Sequence, residues 1–256
     1  MKIAVCCKIT PDTEDVRVSP EGAVDIAGAK WGVSDYDLQA IQAAAELTEE
    51  SGAQAVALTV GTTAIDQSRL TKDLMSRGEM SELYRVVDDG VSDLDTAALA
   101  NVLAAMAQKA DADVVLCGEG SSDRYQRIMG PQVAAVLGWP CVNAANRVVV
   151  EGDAIVVERD LEDGVEVVEL TSPCVIAVTS TINEPQLPKM KAVLAAGKKP
   201  VATMSLADLG VSVEPVVQTV SSSAPVQPGR RKVILEGSAD EVAAALVEKL
   251  SAEKVL

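Results

Sequence analysis

The chain has 256 residues, 48% of them apolar but only 2% aromatic, with no phenylalanine or histidine and a formal charge of −16. That length can bury a substantial core, either as one large α/β domain with appendages or as two small domains, and a core limited to Ala, Val, Leu and Ile suits a parallel sheet under alanine-rich helices. The charge argues against nucleic acid or an anionic membrane surface as partner. The missing histidine removes Ser-His-Asp, Cys-His and HExxH chemistry and the usual general base near neutral pH, which points to a cofactor for any reaction.

Met1-Lys2 leads directly into a strand-like run, Ile3 to Cys7, with no export signal, and no apolar run is long enough to cross a bilayer. A cytoplasmic protein without membrane insertion is therefore expected. Lys8 to Asp15 forms a loop around Pro11, and Arg17 to Ile26 suggests a small hairpin about Pro20-Glu21-Gly22. Ser34-Asp35-Tyr36-Asp37 is a capping cluster for a helix whose apolar face is Leu38, Ile41, Ala44, Ala45 and Leu47. Ala53 to Val60 is a buried strand closed by Gly61, Ile65 to Ser76 a helix, Leu83 to Val87 a strand, Asp88 to Asp95 an acidic loop and Thr96 to Ala110 an alanine-rich helix. Strand and helix alternate through about residue 145, which predicts a doubly wound α/β unit.

Val114-Val115-Leu116-Cys117 is a short apolar run that stops at Gly118-Glu119-Gly120-Ser121-Ser122-Asp123. Ile128, Val133, Val136 and Leu137 then recur at helical spacing before Gly138 and Pro140. A strand, a Gly/Ser turn and a helix present backbone N–H groups at the carboxyl edge of a sheet, where α/β folds bind phosphates. A tight connection with no ligand would use the same residues. Neither a Rossmann glycine pattern nor a Gly-Lys-Ser/Thr follows, so a nucleotide here would be held in another way.

Arg147 to Val157 and Gly164 to Leu170 alternate as a strand pair joined by Arg159-Asp160-Leu161-Glu162-Asp163, and Pro173 to Thr179 is another buried strand. Pro185 and Pro188 force the segment from Thr181 into an extended loop, Lys189 to Ala196 is a short helix, and Lys198-Lys199-Pro200 ends it. Val211 to Arg231, with three prolines and no periodicity, reads as an arm. Lys232 to Glu236 suggests a short strand, and Ser238 to Glu241 a capping box for a terminal helix built on Val242, Leu246 and Leu250. Cys6, Cys7, Cys117, Cys141 and Cys174 form no C-x-x-C pair and read as reduced core residues, and no metal site is expected.

Val157-Glu158-Arg159-Asp160, Gly164, Pro173 to Thr179, Ile182-Asn183-Glu184-Pro185, Leu187-Pro188 and Lys198-Lys199-Pro200 together resemble the β-subunit signature of electron transfer flavoproteins. Lys2 to Lys8, Ser34 to Leu38 and Cys117 to Asp123 resemble its FixA branch, and the likeness covers nearly the whole chain. It implies a doubly wound, mostly parallel α/β sheet of the adenine nucleotide alpha hydrolase type, with a β-hairpin extension. Residues 1–210 would be the nucleotide-binding domain, with a recognition loop at 181–191, and 211–256 an arm and helix clasping a FixB-like α subunit. The pair would share an FAD, and the β subunit would hold AMP or a second FAD. It would turn over no substrate of its own, and would pass electrons from an acyl-CoA-type dehydrogenase to a downstream acceptor.

Carried over by position, the nucleotide site would use Cys6, Ser34, Asp35, Tyr36, Asp37, Val60, Gly118, Glu119, Gly120, Ser121, Ser122, Asp123, Gln126, Arg127, Ile128 and Met129. Ile128-Met129 replaces the Gln followed by Val or Thr usual in such proteins before the glycine equivalent to Gly130, which leaves AMP against FAD open; Gln126 and Arg127 are nearby phosphate donors. Leu187, beside Pro188, would dock the dehydrogenase, and Arg159 and Asp160 would face the α subunit. A free-standing adenine-nucleotide-binding regulatory module of similar fold is the alternative, and it would need neither partner nor arm.

Overall fold

A computed structural model describes residues 1–225, 229 and 232–256. The chain enters through β1 (Lys2–Cys6) and passes along β2 (Ile9–Pro11), β3 (Arg17–Val18), β4 (Val24–Asp25) and β5 (Trp31–Val33). These last four form two small antiparallel ladders, β2 with β5 and β3 with β4. The main alternation follows, through α1 (Asp35–Ser51), β6 (Gln54–Gly61), α2 (Ser68–Ser76), β7 (Glu82–Val87), α3 (Thr96–Lys109), β8 (Val114–Gly118) and α4 (Met129–Leu137). Then come β9 (Cys141–Glu151), β10 (Ala154–Leu161), β11 (Gly164–Thr171), β12 (Cys174–Val178), α5 (Met190–Ala196), β13 (Val201–Met204), α6 (Leu206–Leu209) and, after the arm, α7 (Ala239–Ala252).

Nine strands form one sheet in the order β11-β10-β9-β12-β8-β1-β6-β7-β13. From β9 to β13 every pairing is parallel, and β10 and β11 extend the β9 edge as antiparallel strands. Ile3, Val5, Ala55, Ala57, Leu116 and Ile176 pack under α1, α2 and α5. Ala4, Cys6, Val56, Leu58, Val115 and Cys117 pack under α3 and α4. Burial on both faces explains why these strands are continuous apolar runs. This is the doubly wound, mostly parallel α/β architecture expected from the sequence.

Several boundaries differ from expectation. The stretch from Ile65 to Ser76 is not one helix: a 3-10 turn covers Thr63–Ile65, Gln67 is extended, and α2 starts at Ser68. The run from Arg147 to Val157 is split by a turn at Gly152, φ 64°, so the hairpin extension has three strands, and Arg159 to Leu161 belong to β10 rather than to a connection. Lys232 to Glu236 is not a strand, and Val233 and Ile234 lie exposed. β13 had no strand signal because only alternate residues are half-buried; it pairs along β7 at the sheet edge.

From β1 the chain winds outward to β6 and β7, then crosses back to β8 on the other side of β1. The order of winding reverses between β1 and β8, and it is beyond the carboxyl ends of strands at such a reversal that doubly wound folds form their ligand crevice.

Candidate functional site

The crevice is built where Cys6 and Gly118 end adjacent strands, in a register that pairs Cys6 with Cys117. A Cβ at Gly118 would lie 2.5 Å from the Tyr36 carbonyl oxygen and 2.7 Å from Asp37 Oδ1, so only glycine lets the first turn of α1 rest on the strand end. Lys8, two residues past β1, is gripped at both backbone groups. Its N–H donates to Asp37 Oδ2 at 2.7 Å, and its carbonyl accepts from the Ser34 N–H at 2.9 Å. Asp37 is only 5% exposed. Burial pushes its carboxyl up to about 7 and the Asp123 charge adds to this, against the Lys8 and Gly118 amides and the Lys8 ammonium.

The expected capping cluster thus works differently. Ser34 is the N-cap of α1 but makes no side-chain bond to the helix; its hydroxyl accepts from the Ser122 N–H at 3.2 Å, while Ser122 Oγ accepts from the Asp35 N–H at 3.0 Å. The serine and aspartates tie the helix to the β1 end and the β8 loop, which removes them from ordinary capping.

That loop runs over residues 119–128, so α4 begins well past the glycines and not directly after the Gly/Ser turn. Lys8 Nζ donates to both carboxylate oxygens of Asp123, at 2.7 and 2.6 Å. Burial acts to raise the Asp123 carboxyl, but the Lys8 contact prevails and holds it below the usual value. The Tyr125 ring lies against Tyr36 with centroids 4.8 Å apart and planes 34° apart. A Cβ at Gly120 would stand 2.4 Å from the Tyr125 ring, which explains the second glycine. The Arg127 guanidinium is 5.7 Å from the centre of the same ring and 3.4 Å from Glu119 Oε2. Tyr125 and Arg127 both have positive φ, 43° and 55°, a conformation costly for side chains of this size.

The structure therefore brings together Ser34, Asp35, Tyr36, Asp37, Gly118, Glu119, Gly120, Ser121, Ser122 and Asp123 at one edge of the sheet. Cys6 ends β1 there, but its thiol is buried in the α3 and α4 core. Val60 lies near the carboxyl end of β6 and packs on the same core, as does Met129 at the start of α4. Gln126, Arg127 and Ile128 are exposed on the far part of the loop. Sequence reasoning passed over Lys8, and took in Tyr125 only as part of the turn from Gly118 to Met129. Lys8 follows the strand whose end faces the crevice, and Tyr125 is one of only three tyrosines in the chain; those were the available signals. Two cations, two serine hydroxyls, close-approach glycines and a pair of rings suit a phosphorylated aromatic ligand such as an adenine nucleotide.

Away from the crevice, Leu187 is 84% exposed. Its loop is fastened to α1 by Asn183 Nδ2 donating to the Gln39 carbonyl at 3.1 Å and the Gln186 N–H donating to Gln42 Oε1 at 3.2 Å. Met190 and Leu194 of α5 are exposed nearby in sequence. Arg159 Nε lies 3.5 Å from Glu166 Oε2 across the β10/β11 ladder, and Asp160 accepts from Asn146 Nδ2. Among the described residues no group of three or more His, Cys, Asp or Glu is placed to hold a metal, the cysteines are unpaired, and no helix is long and apolar enough to cross a membrane.

The family model described as the electron transfer flavoprotein domain matches residues 22–209. That span runs from β4 to α6, taking in every strand of the large sheet except β1, together with α1, the β8 loop and the Leu187 loop. On a match of that extent, the chain belongs to the electron transfer flavoprotein domain family.

Proposed function

We propose that the chain is the β subunit of a heterodimeric electron transfer flavoprotein of the FixA branch, and that the β1/β8 crevice holds its adenine nucleotide, AMP or a second FAD. The observation that carries this reading is the convergence of Ser34 to Asp37 with Gly118 to Asp123 at the switch point of a doubly wound sheet. FAD shared with the α subunit would supply the redox chemistry. This chain's residues bind and orient: Ser34 to Asp37 and the loop from Gly118 to Met129 hold the nucleotide, and the arm engages the α subunit. The exposed Leu187, between Pro185 and Pro188, presents an anchor to an acyl-CoA-type dehydrogenase. The prolines lower the entropy lost on docking.

The test is mass spectrometry of ligand released from the chain purified with its α subunit, quantified per heterodimer beside flavin absorbance. One FAD and one AMP identify a simple shuttle, and two FAD identify an electron-bifurcating member. No nucleotide beyond the shared flavin would remove the β1/β8 crevice from the reading. A chain that binds nucleotide but pairs with no α subunit would instead be a free-standing regulatory module.

A further inference from the structure

The loop after β8 carries acidic residues where a phosphate-binding loop would carry a lysine, yet an ammonium is present, delivered from the end of β1. Lys8 Nζ is held by both oxygens of Asp123. Its backbone is fixed at the N–H by Asp37 and at the carbonyl by Ser34, so only the four-carbon stem remains to be ordered. The pair is not sealed off: the Lys8 and Asp123 side chains retain 38% and 25% of their exposure. The loop's own cations are less well placed: Arg124 is exposed, and Arg127 meets Glu119 at 3.4 Å from a side chain 57% exposed, with its backbone in the irregular part of the loop.

We propose that Lys8 is the residue that binds the phosphate of the crevice's nucleotide, and that Asp123 is the phosphate's direct competitor for that ammonium. The proposal rests on the nucleotide reading above. A phosphate offers more charge and more acceptor oxygens than a carboxylate, so it displaces Asp123 from the same donor. Affinity at the site is then set by exchange of one anion for another. In a chain of charge −16, that local cation also counters the repulsion an approaching phosphate meets.

The experiment is titration calorimetry on the chain paired with its α subunit and freed of bound nucleotide, using AMP and adenosine as probes. Wild type should bind AMP more tightly than adenosine. Lys8→Met, which keeps the stem and both backbone bonds, should weaken AMP about 10- to 100-fold, the range of a hydrogen bond to a charged group, and leave adenosine unchanged. Lys8→Arg should restore much of the loss, and Asp123→Asn should tighten AMP without affecting adenosine. Equal binding of AMP and adenosine by wild type, or equal weakening of both by Lys8→Met, would overturn the phosphate role while the nucleotide reading stands. An Asp123→Asn variant that binds AMP no more tightly than wild type would overturn the competition. If wild type binds neither probe this proposal fails, and if the pair also takes up no second FAD the nucleotide reading fails with it.

Discussion

Asp37 is the carboxyl that the crevice buries most deeply. A carboxyl 5% exposed whose value is lifted from 3.8 to about 7 holds its proton in the folded chain where the unfolded chain has lost it. The folded state therefore binds more protons between those values, and stability must fall as pH rises across that window. The integrated cost is about 4 kcal/mol, an upper figure from the size of the shift. Asp89, Asp95 and Asp208 are lowered, chiefly by backbone hydrogen bonds, and act in the opposite sense, so the prediction concerns a difference between two proteins. Asp37→Asn keeps an oxygen to accept from the Lys8 N–H and cannot ionise. Urea unfolding at pH 5 and pH 8 should show the variant gaining on wild type at the higher pH by about 2.5 kcal/mol, the part of that cost that falls between the two pH values. A difference that stays flat between the two would mean that Asp37 ionises at its ordinary value.

Helix α1 joins the two candidate sites. Its first turn closes the crevice through Tyr36 and Asp37, and one turn later Gln39 and Gln42 hold the Leu187 loop. Leu187 projects from that fastened loop with no packing of its own to lose, so Leu187→Ala should leave thermal stability and α-subunit pairing unchanged. It should cost about tenfold or more in the apparent affinity of electron exchange with the dehydrogenase, as an interface anchor does. Stopped-flow reduction of the flavin over a range of dehydrogenase concentrations provides the measurement, and unchanged kinetics throughout would remove Leu187 from the docking surface. Legibility in the sequence followed physical locality. Strands buried on both faces, such as Val114 to Gly118, announce themselves as apolar runs. The half-buried edge strand Val201 to Met204 does not, and the tight turn at Gly152 let two strands pass as one. At the crevice, the glycines and serines of the β8 loop were visible as a motif. The Lys8 contact was not, because it joins residues 115 positions apart and no periodicity encodes a side chain reaching from one strand end to the next loop.

At the scale of the whole chain, the body and the C-terminal segment obey different rules. The body buries its apolar residues between sheet and helices, whereas none of residues 232–256 is buried. The segment leaves the body through discrete hydrogen bonds. Asn101 Nδ2 donates to the Ser212 carbonyl at 3.1 Å, Asp95 Oδ2 accepts from the Val216 and Val217 amides at 2.8 Å each, and the Ala224 N–H donates to the Gly22 carbonyl at 2.9 Å. Beyond them, α7 is closed by a capping box at Ser238 and Glu241, but a 14-residue helix with no fully buried residue is marginal in water. Leu246 and Val247 are about half exposed, and Ile234 more so, an apolar surface that suits a partner subunit. Ending the chain after Pro225 keeps every attachment named above and removes none of the described buried residues. The truncated body should therefore melt within about 2 °C of the full chain, while its affinity for the α subunit should fall by about 100-fold or more if the arm is a clasp. Melting followed by scanning calorimetry and pairing followed by sedimentation separate the two effects. Full-strength pairing by the truncated chain would show that the α subunit binds the body alone. A large drop in melting temperature with pairing intact would show that the arm instead folds back to support its own domain.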